Sequence, residues 1–233
     1  MIEFRAVTYR SGDRLVLDRE SRCVGAGEAT GWCDCDPLSA DAIVRLVLGL
    51  DRPLAGRVLV DGVNSGRDPV KARRRLTYIP RDVKLYPRLT GVENLAYLVA
   101  LAGQTPDLGA LRFQMDACGL GRESHDRLAI GYSREMRQRV LMALARVKGV
   151  SSVLWEVADS ECEEGPFEWR WEALNRLMSE RVAVLLLLGR PVKLNSEESS
   201  LRSVQGGGIS ESGMEEPGWD ERNKGRQMAE VLP

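Results

Sequence analysis

The sequence has a single histidine and no excess of charge of either sign. Its 233 residues carry 33 Lys and Arg against 34 Asp and Glu, a formal net charge of −1. A non-specific nucleic-acid binder needs a basic surplus, so no nucleic-acid partner is expected. Lysine is scarce: only Lys71, Lys84, Lys148, Lys193 and Lys224 occur. No hydrophobic run approaches the roughly 20 residues of a membrane-spanning helix, and the aliphatic stretch from Val182 to Leu188 is far too short. Met1 to Arg5 lacks the basic-then-apolar layout of a signal peptide, so the chain is expected to stay in the cytoplasm. The five cysteines are odd in number and irregularly spaced, which excludes a simple disulfide framework. The one close pair, Cys33-Asp34-Cys35, stands far from His125. A zinc site wants four ligands, usually from two spaced pairs, so no metal site is expected and buried thiols are the better reading.

What is present is an ordinary globular composition, 43% hydrophobic and 29% charged. Ile2, Phe4, Ala6, Leu15 and Leu17 alternate weakly around Ser11-Gly12-Asp13, predicting short antiparallel strands. Ala29 to Cys33 predicts another strand. Asp36-Pro37 then opens a helix, with Asp as N-cap, Pro in the first turn, and Leu38, Ile43, Leu46, Val47 and Leu50 as the apolar stripe. Gly56 to Gly62 and Leu76 to Pro80 predict strands. The pattern from Glu93 to Leu120 is helical, and Ser133 caps a further helix. Val153–Val157 and Val182–Leu188 are apolar strands flanking a helix from Phe167 to Ser179. Such alternation predicts a mostly parallel sheet covered on both faces. From Asn195 onward Ser, Glu and Gly accumulate, although Leu201–Val204 and Ile209–Ser212 have the pattern of a hairpin.

Several collinear phrases resemble the ATP-binding cassette of ABC transporters, nearest to the bacterial multidrug and ABC-2 export type. They are Leu48 to Pro53 with Gly56 to Gly62, Arg74 to Pro80, Leu85 to Leu95, and Ser133 to Val140. Leu201 to Glu216 resembles the family's last hairpin. The resemblance covers residues 1–216. It implies an α/β, P-loop NTPase-like (RecA-like) fold: a mostly parallel sheet, an N-terminal antiparallel β subdomain, and an inserted helical subdomain at about 83–147. Residues 217–233 are left as a polar tail, expected to be disordered.

The resemblance breaks down where the family does its chemistry. A P-loop needs glycines that turn backbone N–H groups toward phosphates, a Lys for their charge, and a Ser or Thr for magnesium. The matching stretch is Asp34-Cys35-Asp36-Pro37-Leu38-Ser39-Ala40-Asp41-Ala42. Ala40 stands at the lysine position and Asp41 at the hydroxyl position, and no Gly-Lys dipeptide occurs in the chain. The helix start that would attract an anion is lined with carboxylates instead, a repulsion of about 1–4 kcal/mol depending on the local dielectric. By the resemblance, the metal-binding Asp is Val157 and the catalytic Glu is Ala158. Glu156 lies one residue earlier, on the opposite face, as a charge tolerated at a strand end. Arg81 replaces the γ-phosphate-sensing Gln, and Gly189 the switch His. Ser11 replaces the adenine-stacking aromatic, with Tyr9 nearby. Ser133 of the signature survives, but Glu135 replaces its glycine. The dimer-contacting loop matches the acidic Glu161 to Glu164. Glu20 and Arg22 stand where the family's second strand is apolar.

These departures predict a degenerate cassette subunit with no catalytic residues of its own. ATP and Mg enter by resemblance only. The nearly intact segment around Tyr86, Pro87, Leu89, Thr90, Glu93 and Asn94 predicts a surface for the transmembrane permease subunit, which would place the chain peripherally on the cytoplasmic face of the membrane. A homo- or heterodimer of cassettes is a further expected partnership. The competing readings are an active ATPase subunit powering export and a soluble regulatory protein on a cassette fold.

Overall fold

The computed structural model describes residues 1–33, 35–157, 168–189 and 201–205. Alternating apolar residues at the start form β1 (Ile2–Ser11), which turns at Gly12, with φ +58°, into antiparallel β2 (Arg14–Val24). On its other edge β1 pairs antiparallel with β4 (Ala55–Val60), which continues to the short β5 (Val63–Asn64). The resulting sheet has the order β2-β1-β4-β5. Glu20 and Arg22 are accommodated in it because they pair with each other at 3.2 Å, and the Arg22 guanidinium lies 4.1 Å from the centroid of the Trp32 ring.

The second sheet has the order β6-β7-β8-β3-β9 and every pairing in it is parallel. Its strands are β3 (Ala29–Cys33), β6 (Leu76–Ile79), β7 (Ser152–Val157), β8 (Ala183–Leu188) and β9 (Leu201–Gln205). The apolar runs are uninterrupted because both faces are covered. Val153, Trp155, Val157, Val184, Leu186 and Leu188 join the core on one face, built with α3 (Gly91–Leu101), α4 (Leu108–Ala117), α6 (Arg134–Lys148) and α7 (Glu168–Ser179). Trp32, Leu154, Leu185 and Leu187 join the other core, built with α1 (Pro37–Val47) and the antiparallel sheet. The short α2 (Pro69–Arg74) and α5 (Arg122–His125) complete the helices named here.

Local chemistry sets the helix ends. The helical pattern between Glu93 and Leu120 resolves into two helices, because α3 stops at Ala102 and Gly103 takes φ +81°. Asp107 then caps α4. Ser133 caps α6 by accepting from Met136 N, and Gly149 closes that helix in the left-handed region at φ +60°. Ile43, Leu46 and Val47 of the predicted α1 stripe are buried, but Leu50 falls past the helix end and is 57% exposed. Leu201–Gln205 pairs with the edge of β3. Its expected partner Ile209–Ser212 and the tail 217–233 lie outside the described residues.

Candidate functional site

The site suggested by the sequence lies where the parallel strands end and α1 begins. Asp36 takes an extended conformation and caps α1. Its Oδ1 accepts from the backbone N–H of Leu38 at 2.9 Å and of Ser39 at 3.1 Å, and its Oδ2 accepts from the Ser39 hydroxyl at 3.0 Å. The Asp36 carbonyl accepts from Ala40 N at 2.9 Å, and Pro37 has no N–H to offer. The first-turn donors that would greet a phosphate are therefore used inside the chain. Arg14, reaching from the β1–β2 hairpin, pairs with Asp36 Oδ2 at 3.2 Å. Burial works to raise the Asp36 pKa. The bonds from Ser39 and Leu38 and the charge of Arg14 outweigh it, so the carboxyl is held below its ordinary value. Ala40 is buried, and Asp41 is exposed on the next turn. Ala42 is buried in the α1 core.

The end of β7 corrects the sequence register. Val157, taken from the resemblance as the metal-binding position, is fully buried among the helices on the far face of the sheet. The carboxylate on the α1 face is Glu156, whose strand partner Leu187 belongs to the α1-side core. Glu156 Oε2 accepts from the Tyr78 hydroxyl at 2.9 Å and from the Arg81 backbone N–H at 3.0 Å. Burial, the Glu156 charge and that hydrogen bond together push the Tyr78 phenol well above its ordinary range. Cys35 lies in the same neighbourhood. Burial, followed by the charges of Asp36 and Glu156, pushes its thiol up to about 12, with Arg22 and Arg81 opposing. Arg81 thus contributes its backbone to Glu156 and its charge to the Cys35 surroundings. Asp34, Ala158 and residues 161–164 lie outside the described residues. Gly189 follows β8 in a bend.

Other residues around the expected site are occupied structurally. Tyr9 offers no open ring for stacking, since it is buried and its hydroxyl donates to Asp51 Oδ2 at 2.8 Å. Arg45, on the last turn of α1, points to that same Asp51 oxygen at 3.7 Å rather than to the helix start. Ser133 accepts the capping bond at the start of α6, and Glu135 in that first turn pairs with Arg139. Among the described residues no group of three His, Cys, Asp or Glu is arranged to hold a metal ion.

The expected docking segment is ordered around one buried amide. Asn94, 1% exposed, accepts from Tyr86 N at 2.7 Å and donates to the carbonyls of Tyr86, Leu89 and Thr90. Asn94 therefore shapes the surface from within and does not face a partner, contrary to the sequence expectation. Thr90 and Glu93 form a reciprocal capping box. Tyr86 and Pro87 are exposed, and Tyr86 meets Tyr97 edge-on with centroids 4.9 Å apart.

Comparison with known proteins fits this geometry. The dimeric structure of a bacterial ABC transporter cassette superposes with a TM-score of 0.69, covering 88% of this chain and 94% of that one at 16% identity. The chain has the ATP-binding-cassette fold. Its sequence is similar to an ATP-dependent lipid A-core flippase of Burkholderia orbicola, 29% identical over 79% of this chain and 32% of that protein. It is also similar to methionine import ATP-binding protein MetN 1 of Rhodopseudomonas palustris, 26% identical over 87% of this chain and 56% of that protein. The chain thus spans between about a third and somewhat over half of these relatives. No family model matches it. Within the cassette, the strand-end acid is the position that sequence reading misplaced. One signal was available, since Tyr78 sits at the end of the neighbouring strand within reach of an acid on its own face. No described helix is long and apolar enough to cross a membrane.

Proposed function

We propose that this cassette is a degenerate ATP-binding subunit of an ABC transporter, of the export type. It docks on a membrane permease or pairs with a competent cassette without hydrolysing ATP efficiently. The observation that carries this reading is the occupation of the α1 N-terminus by Asp36, together with Ala40 in place of a lysine. An anion arriving there meets a carboxylate, while the cation of α1, Arg45 in its last turn, faces Asp51. Val157, at the position read as metal-binding, has no oxygen ligand, and Glu156 beside it is engaged by the Tyr78 hydroxyl and the Arg81 N–H. Glu135, in the first turn of α6, supports the same reading for the signature side. The exposed Tyr86 and Pro87, stiffened by Asn94 beneath them, support docking on the permease. The export direction rests on the likeness of the segments from Leu48 to Leu95 to that branch. The relatives named above include both a flippase and an importer subunit.

The test is titration of labelled ATP-Mg against the purified chain. No saturation is expected through the micromolar range, and no phosphate release above the no-protein background. Micromolar binding accompanied by turnover restores the reading as an active ATPase.

A further inference from the structure

We propose that the surface made by residues 48–54 and the short α2 binds directly to a lipid bilayer that contains anionic lipid. Three large aliphatic side chains stand out from it, with Leu50 57% exposed, Leu54 68% and Val70 56%. Arg52, Arg67, Lys71 and Arg74 are exposed among them.

Local contacts bring these groups together. Gly49, at φ +64°, lets its loop press on the start of α2, since a Cβ there would lie 2.2 Å from the Ser65 carbonyl oxygen and 2.8 Å from Pro69 Cβ. Arg73 Nη1 donates to the Leu48 carbonyl at 3.1 Å and ties the loop to the helix. The Arg52 stem passes Gly66, where a Cβ would lie 3.5 Å from Arg52 Cγ, so Arg52 comes alongside the neighbouring Arg67. On α2 the inward residue is Ala72, 0% exposed. At about 100° per residue, Val70 and Arg74 fall together on the opposite side, with Lys71 beside them. The Leu54 N–H donates to the Thr8 carbonyl at 2.8 Å, so β1 holds its backbone while the side chain projects.

The charge of this surface is positive. Arg75 is paired with Asp61 at 3.0 Å, and Asp51 takes the Tyr9 hydroxyl and faces Arg45. Among the described residues, Arg52, Arg67, Lys71 and Arg74 have no ion pair. Asp68, which accepts from Lys71 N at 3.1 Å as the cap of α2, offsets one of these four charges. Protruding aliphatic groups among unspent cations supply the two signals that reversible membrane attachment needs, insertion at the acyl boundary and attraction to anionic headgroups. A folded protein partner would be read by cations fixed in direction. Here no side-chain hydrogen bond orients any of the four among the described residues, which suits a fluid headgroup layer. The inference needs neither nucleotide nor permease, so its failure leaves the degenerate reading standing.

The experiment is co-sedimentation of the full chain with vesicles of phosphatidylcholine alone, or of phosphatidylcholine with about a third phosphatidylglycerol, at low and high salt, beside a polyglutamate peptide as the acidic-protein probe. Binding to the anionic vesicles is expected to be at least tenfold tighter than to the neutral ones and to weaken at high salt. Replacing Arg67, Lys71 and Arg74 together by Ala is expected to weaken it at least tenfold, since each cation near the surface is worth about fivefold. The same loss of charge at exposed Lys84, Arg88 and Arg122 is expected to change it less than twofold. Leu54→Asn with Val70→Asn is expected to cost about fivefold while leaving the melting curve in place, because both side chains are exposed. Equal binding to both vesicle types, an equal loss in the control triple, unchanged binding in the Leu54 and Val70 variant, or capture of polyglutamate without vesicle binding overturns the proposal. The lipid and salt comparisons use the unaltered chain and decide it even where a variant fails to fold.

Discussion

Asp36 performs two jobs that are usually divided between a protein and its ligand. It caps α1, and it supplies the negative charge that the free N–H groups of a helix start attract. Asp36→Ala is expected to destabilise the fold by about 1 kcal/mol in urea denaturation at pH 7. The pH dependence has a definite sign. Because the folded carboxyl titrates below its ordinary value of 3.8, its contribution is complete above that value and disappears as pH falls through the lower, folded one. The gap between wild type and variant is therefore expected to be constant from pH 5 to 7 and to narrow below about pH 4. A gap that widens on acidification contradicts the capping role. A second expectation concerns Cys35. With its thiol at about 12, roughly one molecule in ten thousand carries a thiolate there at pH 8. Iodoacetamide labelling followed by peptide mass spectrometry is expected to modify exposed Cys23 while leaving Cys35 and buried Cys33 intact until urea is added. Rapid modification of Cys35 in the native protein refutes this account of its burial.

Most elements were legible because their signals are local. An Asp-Pro pair, a Ser or Thr three residues before a helix-stabilising partner, and apolar runs ended by Gly or Pro each fix a boundary without help from elsewhere. The starts of α1 and α6 and the course of β6, β7 and β8 follow from such signals. The face of Glu156 did not, since shifting a strand by one residue exchanges its two faces and only the neighbouring strands fix the choice. Asn94 was expected on the partner-facing surface for a related reason. A polar residue in an amphipathic helix reads as surface until the loop that folds over it is known. Asn94→Ala removes the partner of the Tyr86 N–H and a second donor to the carbonyls of Tyr86, Leu89 and Thr90, each of which keeps a backbone donor. The expected loss is about 2 kcal/mol in denaturant, with faster amide exchange at Tyr86 while α6 amides are unaffected. Unchanged exchange at Tyr86 shows that the loop holds its shape by other means.

At the scale of the whole molecule, the proposed degenerate reading separates the fold from the site. Both cores bury large side chains, with Trp155, Ile43 and Leu46 almost wholly buried. The separation follows from where each interaction lies. Packing is spread over two sheets and their helices, whereas nucleotide affinity concentrates in a few side chains at strand and helix ends, where a substitution leaves the interior untouched. Nucleotide-driven pairing of cassettes needs the ligand to bridge a helix start on one chain and a signature turn on the other. Here the first carries Asp36 and Ala40, and the second carries Glu135. Sedimentation velocity of the chain alone is therefore expected to give the same coefficient with and without millimolar ATP-Mg, and the same again with a slowly hydrolysed analogue. Lowering the salt should leave this unchanged, because the obstruction is a seated carboxylate with its own hydrogen bonds and not a diffuse surface repulsion that ions modulate. A nucleotide-dependent shift toward a dimer places the ligand on the chain despite Asp36, and the degenerate reading falls with it.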